Sequence, residues 1–149
     1  MRNKTRAILI LGGSSDIGLD VVKIFLNEGW KVYAHYNKNL KKLKLFKKIY
    51  REKLVTIQSE LFHDISVKKL INKIRKENIL SFVNLVGYLD NKSFENFDSQ
   101  SLEKSLKINT INPLLIQRSL IKNMIKNKFG RILNISSIGV KYGGSKYTF

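Results

Sequence analysis

Two kinds of apolar stretch alternate along the chain. Ala7–Leu11 is apolar at every position and leads into a Gly/Ser turn. A continuous run of that length suits a strand buried on both faces. Residues 16–28 then carry Ile17, Val21, Ile24 and Phe25 at helical spacing. This predicts a helix with that stripe inward, stopped by Gly29. Lys31–Tyr36 reads as a second strand, and Leu40, Leu43, Phe46 and Tyr50 mark a second amphipathic helix. Leu54–Gln58 reads as a third strand. Asp64 or Ser66 is expected to cap a helix that carries Val67, Leu70, Ile71 and Ile74. Residues 80–86 read as a fourth strand and residues 131–135 as a fifth. Between them lies a helical region over about 101–127, interrupted at Pro113.

Strand–helix alternation implies right-handed crossovers and a parallel sheet. The predicted architecture is a doubly wound, Rossmann-like α/β fold with strand order 3-2-1-4-5. Ligands in such sheets bind beyond the carboxyl ends of the strands. Repeats and Pro/Ser-rich linkers are absent, so residues 1–149 read as a single domain. Only residues 136–149 follow the last strand, which is therefore expected to be a bare edge. The domain is expected to be truncated at its C-terminal side.

Charge changes this picture little. There are 28 Lys+Arg against 11 Asp+Glu, a net charge of +17. Such a balance invites a nucleic-acid reading, but 22 of the basic residues are Lys and only 6 are Arg. Arg-led readout of bases and phosphates needs more Arg. The densest patch, Lys41, Lys42, Lys44, Lys47 and Lys48, lies among the helically spaced apolar residues and reads as a solvated helix face. No specific nucleic-acid partner is expected. The absence of Cys excludes disulfides, thiolate zinc sites and a cysteine nucleophile. His35 and His63 lack ligand-spaced partners, so no metal site is assigned and both read as ordinary polar side chains. No apolar stretch is long enough for a membrane span or a signal-peptide core, which points to a cytoplasmic protein without a membrane partner.

Chemistry enters at the first turn. Gly12-Gly13-Ser14-Ser15-Asp16-Ile17-Gly18 lies between the first strand and the first helix. Gly12 permits a turn that a side chain would block. Ser14 and Ser15 offer donors beside a helix N-terminus, where the helix dipole favours an anion. Gly18 allows a close approach of helix and strand. No Gly-Lys-Ser/Thr follows, so this is not a Walker phosphate loop.

The turn resembles that of the short-chain dehydrogenase/reductase family, Gly-x-x-x-Gly-x-Gly, with Gly12 and Gly18 kept and Asp16 in place of the middle glycine. Other landmarks agree. Glu60 and Leu61, after the third strand, stand where the family contacts adenine through an acidic residue. Val83-Asn84-Leu85-Val86-Gly87 is similar to the family's Asn-Asn-Ala-Gly, with Asn84 and Gly87 kept. An Asn inside an apolar run needs partners, and in the family it ties the central strands together. Asn109 precedes Gly130-Arg131-Ile132 by 21 residues, and the strand there ends in Ser136-Ser137.

The resemblance implies an NAD(P)-dependent oxidoreductase acting on a small carbonyl or alcohol substrate. Residues 12–18 would hold the pyrophosphate, with Asp16 placing a carboxylate close to it. Asn84 and Gly87 would line the nicotinamide side. Ser137 would polarise the substrate oxygen, and Asn109 would hold a relay water on its backbone carbonyl. Pro113 supports the last role, because its missing N–H and its ring leave the carbonyl four residues back unpaired. The stretch after the second strand, residues 35–39, has no acid for the ribose hydroxyls, and Lys38 suits a 2′-phosphate. NADP is therefore expected over NAD. Tyr142 and Lys146 fit the letters of the family's Tyr-x-x-x-Lys, but Tyr142 falls only five residues after Ser137, and Gly143-Gly144 disfavours the helix the motif requires. The family's proton-donating Tyr is expected beyond Phe149. A homo-oligomer is possible for a complete family member. Two rival readings stay open: a truncated, non-catalytic nucleotide-binding or interaction protein, and a basic nucleic-acid-binding domain.

Overall fold

The computed structural model describes residues 6–143, apart from the side chains of Phe94 and Val140. Its sheet contains β1 (Ala7–Leu11), β2 (Lys31–Tyr36), β3 (Leu54–Gln58), β4 (Ser81–Asn84) and β5 (Arg131–Asn134), all parallel, in the order β3-β2-β1-β4-β5. The helices are α1 (Asp16–Asn27), α2 (Lys41–Tyr50), α3 (Asp64–Ile74), α4 (Ser99–Leu106), α5 (Asn112–Lys126) and the single turn α6 (Gly139–Tyr142). The doubly wound order expected from the sequence is the one observed.

β1 sits at the centre and is buried along its whole length. Leu9 and Leu11 face one side with Tyr33 and Phe82, against Val67, Leu70 and Ile74 of α3 and Ile116, Leu120 and Met124 of α5. Ile8 and Ile10 face the other side with Val32, Ala34 and Val83, against Leu19, Val22 and Leu26 of α1 and Leu43 of α2. Burying a side chain of this size fully contributes about 1.5–3 kcal/mol, so the unbroken apolar run of β1 follows from its having helices on both faces.

Several local expectations are corrected. The fully buried stripe of α1 is Gly18, Leu19, Val22 and Leu26; of the expected stripe, Val21 and Phe25 are partly buried against the same core, whereas Ile17 and Ile24 are 69% and 59% exposed. The turn decides this. Gly18 is pressed onto the carbonyl of Gly12, which sets the rotation of the helix about its axis. α3 begins after His63 without a side-chain cap. Ser66 turns its hydroxyl back to accept the N–H of Glu60 at 2.9 Å. β4 stops at Asn84 because that side chain accepts the N–H of Val86 at 3.1 Å and bends the chain out of the sheet.

The long helical region divides at the expected place. Lys107–Ile111 forms a π-helical turn in which the N–H of Asn112 donates to the carbonyl of Lys107. Pro113 then lies in the first turn of α5, where its lack of an N–H costs least. After β5 the chain makes one helical turn, α6, which closes at Gly143 with φ 71°. β5 itself is exposed along its length, as expected of an edge. The five lysines of α2 are exposed. Two of them also serve the fold, since Lys42 pairs with Asp16 and Lys47 donates to the carbonyl of Leu54. Among the described residues no helix is long and apolar enough to cross a membrane.

Candidate functional site

Because every strand runs the same way, the carboxyl ends of all five share one rim. Gly12 leaves β1 with φ 77°, a left-handed conformation that glycine adopts without a Cβ clash. Its carbonyl accepts from both the N–H and the hydroxyl of Ser15, at 3.0 and 2.8 Å. The same hydroxyl accepts the N–H of Gly18 at 3.0 Å, so Ser15 is the N-cap of α1. A Cβ on Gly18 would stand 2.1 Å from the carbonyl oxygen of Gly12, and one on Gly13 would stand 3.0 Å from the Ala34 Cβ. The close approach at Gly18 is thus to the turn itself rather than to the strand.

Asp16 and Ile17 open the first turn of α1, where backbone N–H groups have no intrahelical acceptor and the dipole is positive. Small residues, free donors and a helix N-terminus together fit an anionic group such as a pyrophosphate. The carboxylate expected to lie close to that group is engaged elsewhere. Asp16 meets Lys42 at 2.5 Å, and that hydrogen bond and charge hold its carboxyl below the usual range. Ser14 is half-buried beside it.

At the neighbouring strand ends, Lys38 is exposed on the loop after β2. Glu60 lies 3.7 Å from His63. The side chain of Leu61 is in the core, and its carbonyl accepts Nδ2 of Asn112 at 2.6 Å. The side chain of Leu61 therefore faces the core rather than the rim. His35 is buried between the turn and β3, with Nδ1 at 3.2 Å from the N–H of Gly12 and Nε2 at 2.9 Å from the carbonyl of Ser59. Burial pushes this imidazole below its ordinary pKa.

On the β4–β5 side, a cleft of about 1040 Å³ is lined by Asn84, Gly87, Asn109, Pro113, Ser136 and Ser137, among others. Asn109 uses its whole amide on neighbouring groups. Its Oδ1 accepts the N–H of Tyr88 at 2.7 Å, and its Nδ2 donates to the Tyr88 carbonyl at 2.8 Å and to the Ser105 hydroxyl at 3.2 Å. The side chain clamps the segment after Gly87, which leaves only the backbone of Asn109 for other work. Pro113 has no N–H to offer that carbonyl. The hydroxyl of Ser137 accepts the N–H of Gly139 at 3.1 Å. The side chain of Asn84 bonds locally, to Val86; the strand ties at this level are backbone bonds, Leu85 to Leu11 and Ile135 to Asn84. Tyr142 ends α6 as an exposed side chain, and Lys146 lies outside the described residues.

Sequence reasoning passed over three residues here. Gln117 of α5 donates to Oδ1 of Asn134 at 2.6 Å beneath the cleft. His35 carries the same signal that marked Asn84, a polar side chain inside an otherwise apolar strand. Asn134, inside Ile132-Leu133-Asn134-Ile135, carries that signal too, whereas Gln117 does not stand out, because its partner lies on the following strand.

The family model for short chain dehydrogenase matches residues 6–149. A 3-oxoacyl-[acyl-carrier-protein] reductase of Rickettsia typhi is 32% identical over 130 residues, which cover 87% of this chain and 53% of the relative. An uncharacterized oxidoreductase of Bacillus subtilis, YmfI, is 25% identical over 148 residues, covering 96% and 60%. Among solved structures, an alcohol dehydrogenase from Comamonas testosteroni superposes with a TM-score of 0.82 at 21% identity, over 95% of this chain and 61% of that one. The Cj0485 dehydrogenase gives a TM-score of 0.82 at 25% identity, over 98% and 56%. The chain thus spans a little over half the length of the proteins it matches. With the strand order, the glycine turn and the family match in agreement, the chain belongs to the short-chain dehydrogenase family.

Proposed function

We propose that these residues form the cofactor-binding part of an NAD(P)-dependent oxidoreductase that interconverts a small carbonyl compound and its alcohol. The observation that carries this reading is the turn over residues 12–18. It is capped by Ser15, narrowed to glycine by the Gly12 carbonyl, and shares a rim with a cleft that holds Asn109 and Ser137. The nicotinamide, when bound, supplies or accepts the hydride.

The chain's own residues do the rest. Gly12, Gly18 and the first-turn N–H groups beside Ser14, Ser15, Asp16 and Ile17 bind the pyrophosphate, with Lys42 neutralising Asp16. Glu60 and the backbone of Leu61 flank the adenine. Lys38 meets a ribose 2′-phosphate, which makes NADP the preferred cofactor. Asn84 and Gly87 line the nicotinamide side. Ser137 hydrogen-bonds the substrate oxygen as negative charge builds on it. Asn109 holds a water on its backbone carbonyl, its side chain being committed to Tyr88.

For the 149 residues alone we propose cofactor binding with little or no turnover. What supports this is that Tyr142 falls five residues after Ser137 and ends a single helical turn at Gly143, rather than standing in the longer helix that the family's Tyr-x-x-x-Lys requires. Titrating the purified chain with NADPH and with NADH, by nicotinamide fluorescence or calorimetry, tests both parts. The expected result is saturable binding, tighter for NADPH, with the preference lost in Lys38→Ala. No saturable binding of either cofactor overturns the reading. A response to RNA or DNA that vanishes as salt rises, without any cofactor effect, favours a polyanion binder instead. Steady-state carbonyl reduction by the purified chain overturns the claim of low turnover.

A further inference from the structure

The turn over residues 12–18 is held from below by a residue that the sequence marked only as an ordinary polar side chain. His35 is 3% exposed and touches two backbone groups of opposite kind. The N–H of Gly12 faces Nδ1 at 3.2 Å, and the carbonyl of Ser59 faces Nε2 at 2.9 Å. A backbone N–H only donates and a carbonyl only accepts. The ring must therefore carry its proton on Nε2 and present a lone pair at Nδ1, the neutral Nε2–H tautomer. A charged imidazolium would set a donor against the donor of Gly12.

Both partners are otherwise fixed. The carbonyl of Gly12 is taken by Ser15. Ser59 donates its N–H to the carbonyl of Tyr36 at 3.1 Å, and its hydroxyl lies 3.0 Å from that of Ser66. Ser59 is thus an anchored point, and His35 transmits its position to Gly12.

We infer that His35 is a positioning residue for cofactor binding: as the Nε2–H tautomer it suspends Gly12 from the end of β3 and so sets how residues 12–18 present their N–H groups to a pyrophosphate. The inference rests on the proposed role of that turn. Its two hydrogen bonds can be separated by substitution. His35→Asn keeps an acceptor near the Nδ1 position and loses the reach to Ser59. His35→Gln keeps a donor near the Nε2 position and loses the acceptor for Gly12. His35→Leu loses both.

The test measures NADPH affinity and thermal stability for all four proteins. The expected order of affinity is wild type, then His35→Asn within about threefold, then His35→Gln and His35→Leu weakened about tenfold, equivalent to about 1.4 kcal/mol. A purely structural role orders them differently, since polar Asn and Gln in a buried site are then both worse than Leu. Affinity that follows melting temperature across the series, or that is unchanged in His35→Gln and His35→Leu, overturns the inference while leaving the proposed function standing. Absence of NADPH binding by the wild type overturns the proposed function itself. A second readout needs no cofactor. The ¹⁵N resonances of His35 in the wild type are expected to show an unprotonated Nδ1 and a protonated Nε2 at neutral pH. An imidazolium or an Nδ1–H tautomer overturns the assignment.

Discussion

Gly18→Ala tests the turn where its geometry is tightest. In the interior of an exposed helix this change stabilises by about 1 kcal/mol, because Ala has the better helix propensity. Here the added Cβ would lie 2.1 Å from the carbonyl oxygen of Gly12, 2.8 Å from the Ser15 hydroxyl and 2.9 Å from the Gly13 Cα. The first contact is with backbone and cannot be relieved by a rotamer change. Either the Gly12 carbonyl swings away, releasing the N–H and the hydroxyl of Ser15, or the first turn of α1 unwinds and the cap is lost. The first route loses two hydrogen bonds at about 1 kcal/mol each, offset by the propensity gain of about 1 kcal/mol. The second loses a Ser cap at about 1 kcal/mol. By either route the expected net destabilisation is about 1 kcal/mol, and for a chain of this size that corresponds to a fall in Tm of about 2–4 °C. Urea unfolding followed by the fluorescence of Trp30, which packs edge-on to Phe25 of α1 at 5.1 Å between ring centres, reports on this region. Gly87→Ala is the control, since nothing lies within 4 Å of its added Cβ; its stability is expected to stay within about 0.5 kcal/mol of wild type. A Gly18→Ala protein as stable as wild type, or more so, refutes the geometric argument.

The two serines of the turn are expected to differ. Ser15→Ala should lose about 1 kcal/mol as a removed cap, while Ser14→Ala, whose hydroxyl caps nothing, should stay within about 0.5 kcal/mol; equal losses in urea unfolding count against this assignment. Asp98 caps α4, accepting the N–H of Ser101 at 2.7 Å and pairing with Lys92 at 2.9 Å. These partners hold its carboxyl at about 2 against an ordinary 3.8. The depressed value means that its contribution is complete above the ordinary pKa and is lost as pH falls through about 2. A carboxyl ¹³C titration midpoint near 3.8 contradicts this. His35 has the opposite charge type. Burial keeps it neutral in the fold below its ordinary 6.5, so the unfolded chain binds a proton that the folded one does not, and stability falls as pH drops below that value. The ionisable groups of the adjoining turns are Asp16, which pairs with Lys42, and Glu60, which lies beside His63. Comparing urea midpoints of wild type and His35→Leu between about pH 7.5 and pH 5 removes their common contribution. An equal pH slope in the two proteins contradicts the assignment.

Ser15 ties the Gly12 carbonyl to the cap of α1, His35 ties the Gly12 N–H to β3, and Asn109 ties the segment after Gly87 to the π-helical turn. Each of these side chains bonds to backbone of a rim loop, Asn109 reaching the Ser105 hydroxyl as well. The bonds of His35 lie in a buried setting, where such a bond costs more to lose than it contributes when made, because the abandoned backbone group is left without water, whereas those of Ser15 to Gly12 and of Asn109 to Tyr88 are exposed to solvent. The rim is therefore preorganised before any ligand arrives.

The strand order, the glycine turn, a buried Asn at the end of β4 and the break at Pro113 were legible in the sequence, although the strand itself stops at Asn84 rather than at residue 86. Each depends on local physics: apolar runs that demand burial on both faces, glycines that alone tolerate a tight turn, an amide stranded among apolar residues, and a proline without an N–H. The rotation of α1 was not legible. Its sequence offers apolar residues at 17, 21, 24 and 25 and also at 19, 22 and 26, and periodicity does not choose between the two stripes. The contact of Gly18 with the Gly12 carbonyl makes the choice. Asp16 could be located in the first turn of α1, but its pairing with Lys42 depends on α2 packing beside that turn. The duties of His35 and Gln117 were hidden for the same reason. Hydrogen-bond partners 23 and 17 residues away leave no trace in spacing, and they meet only once the sheet has set the neighbouring elements side by side.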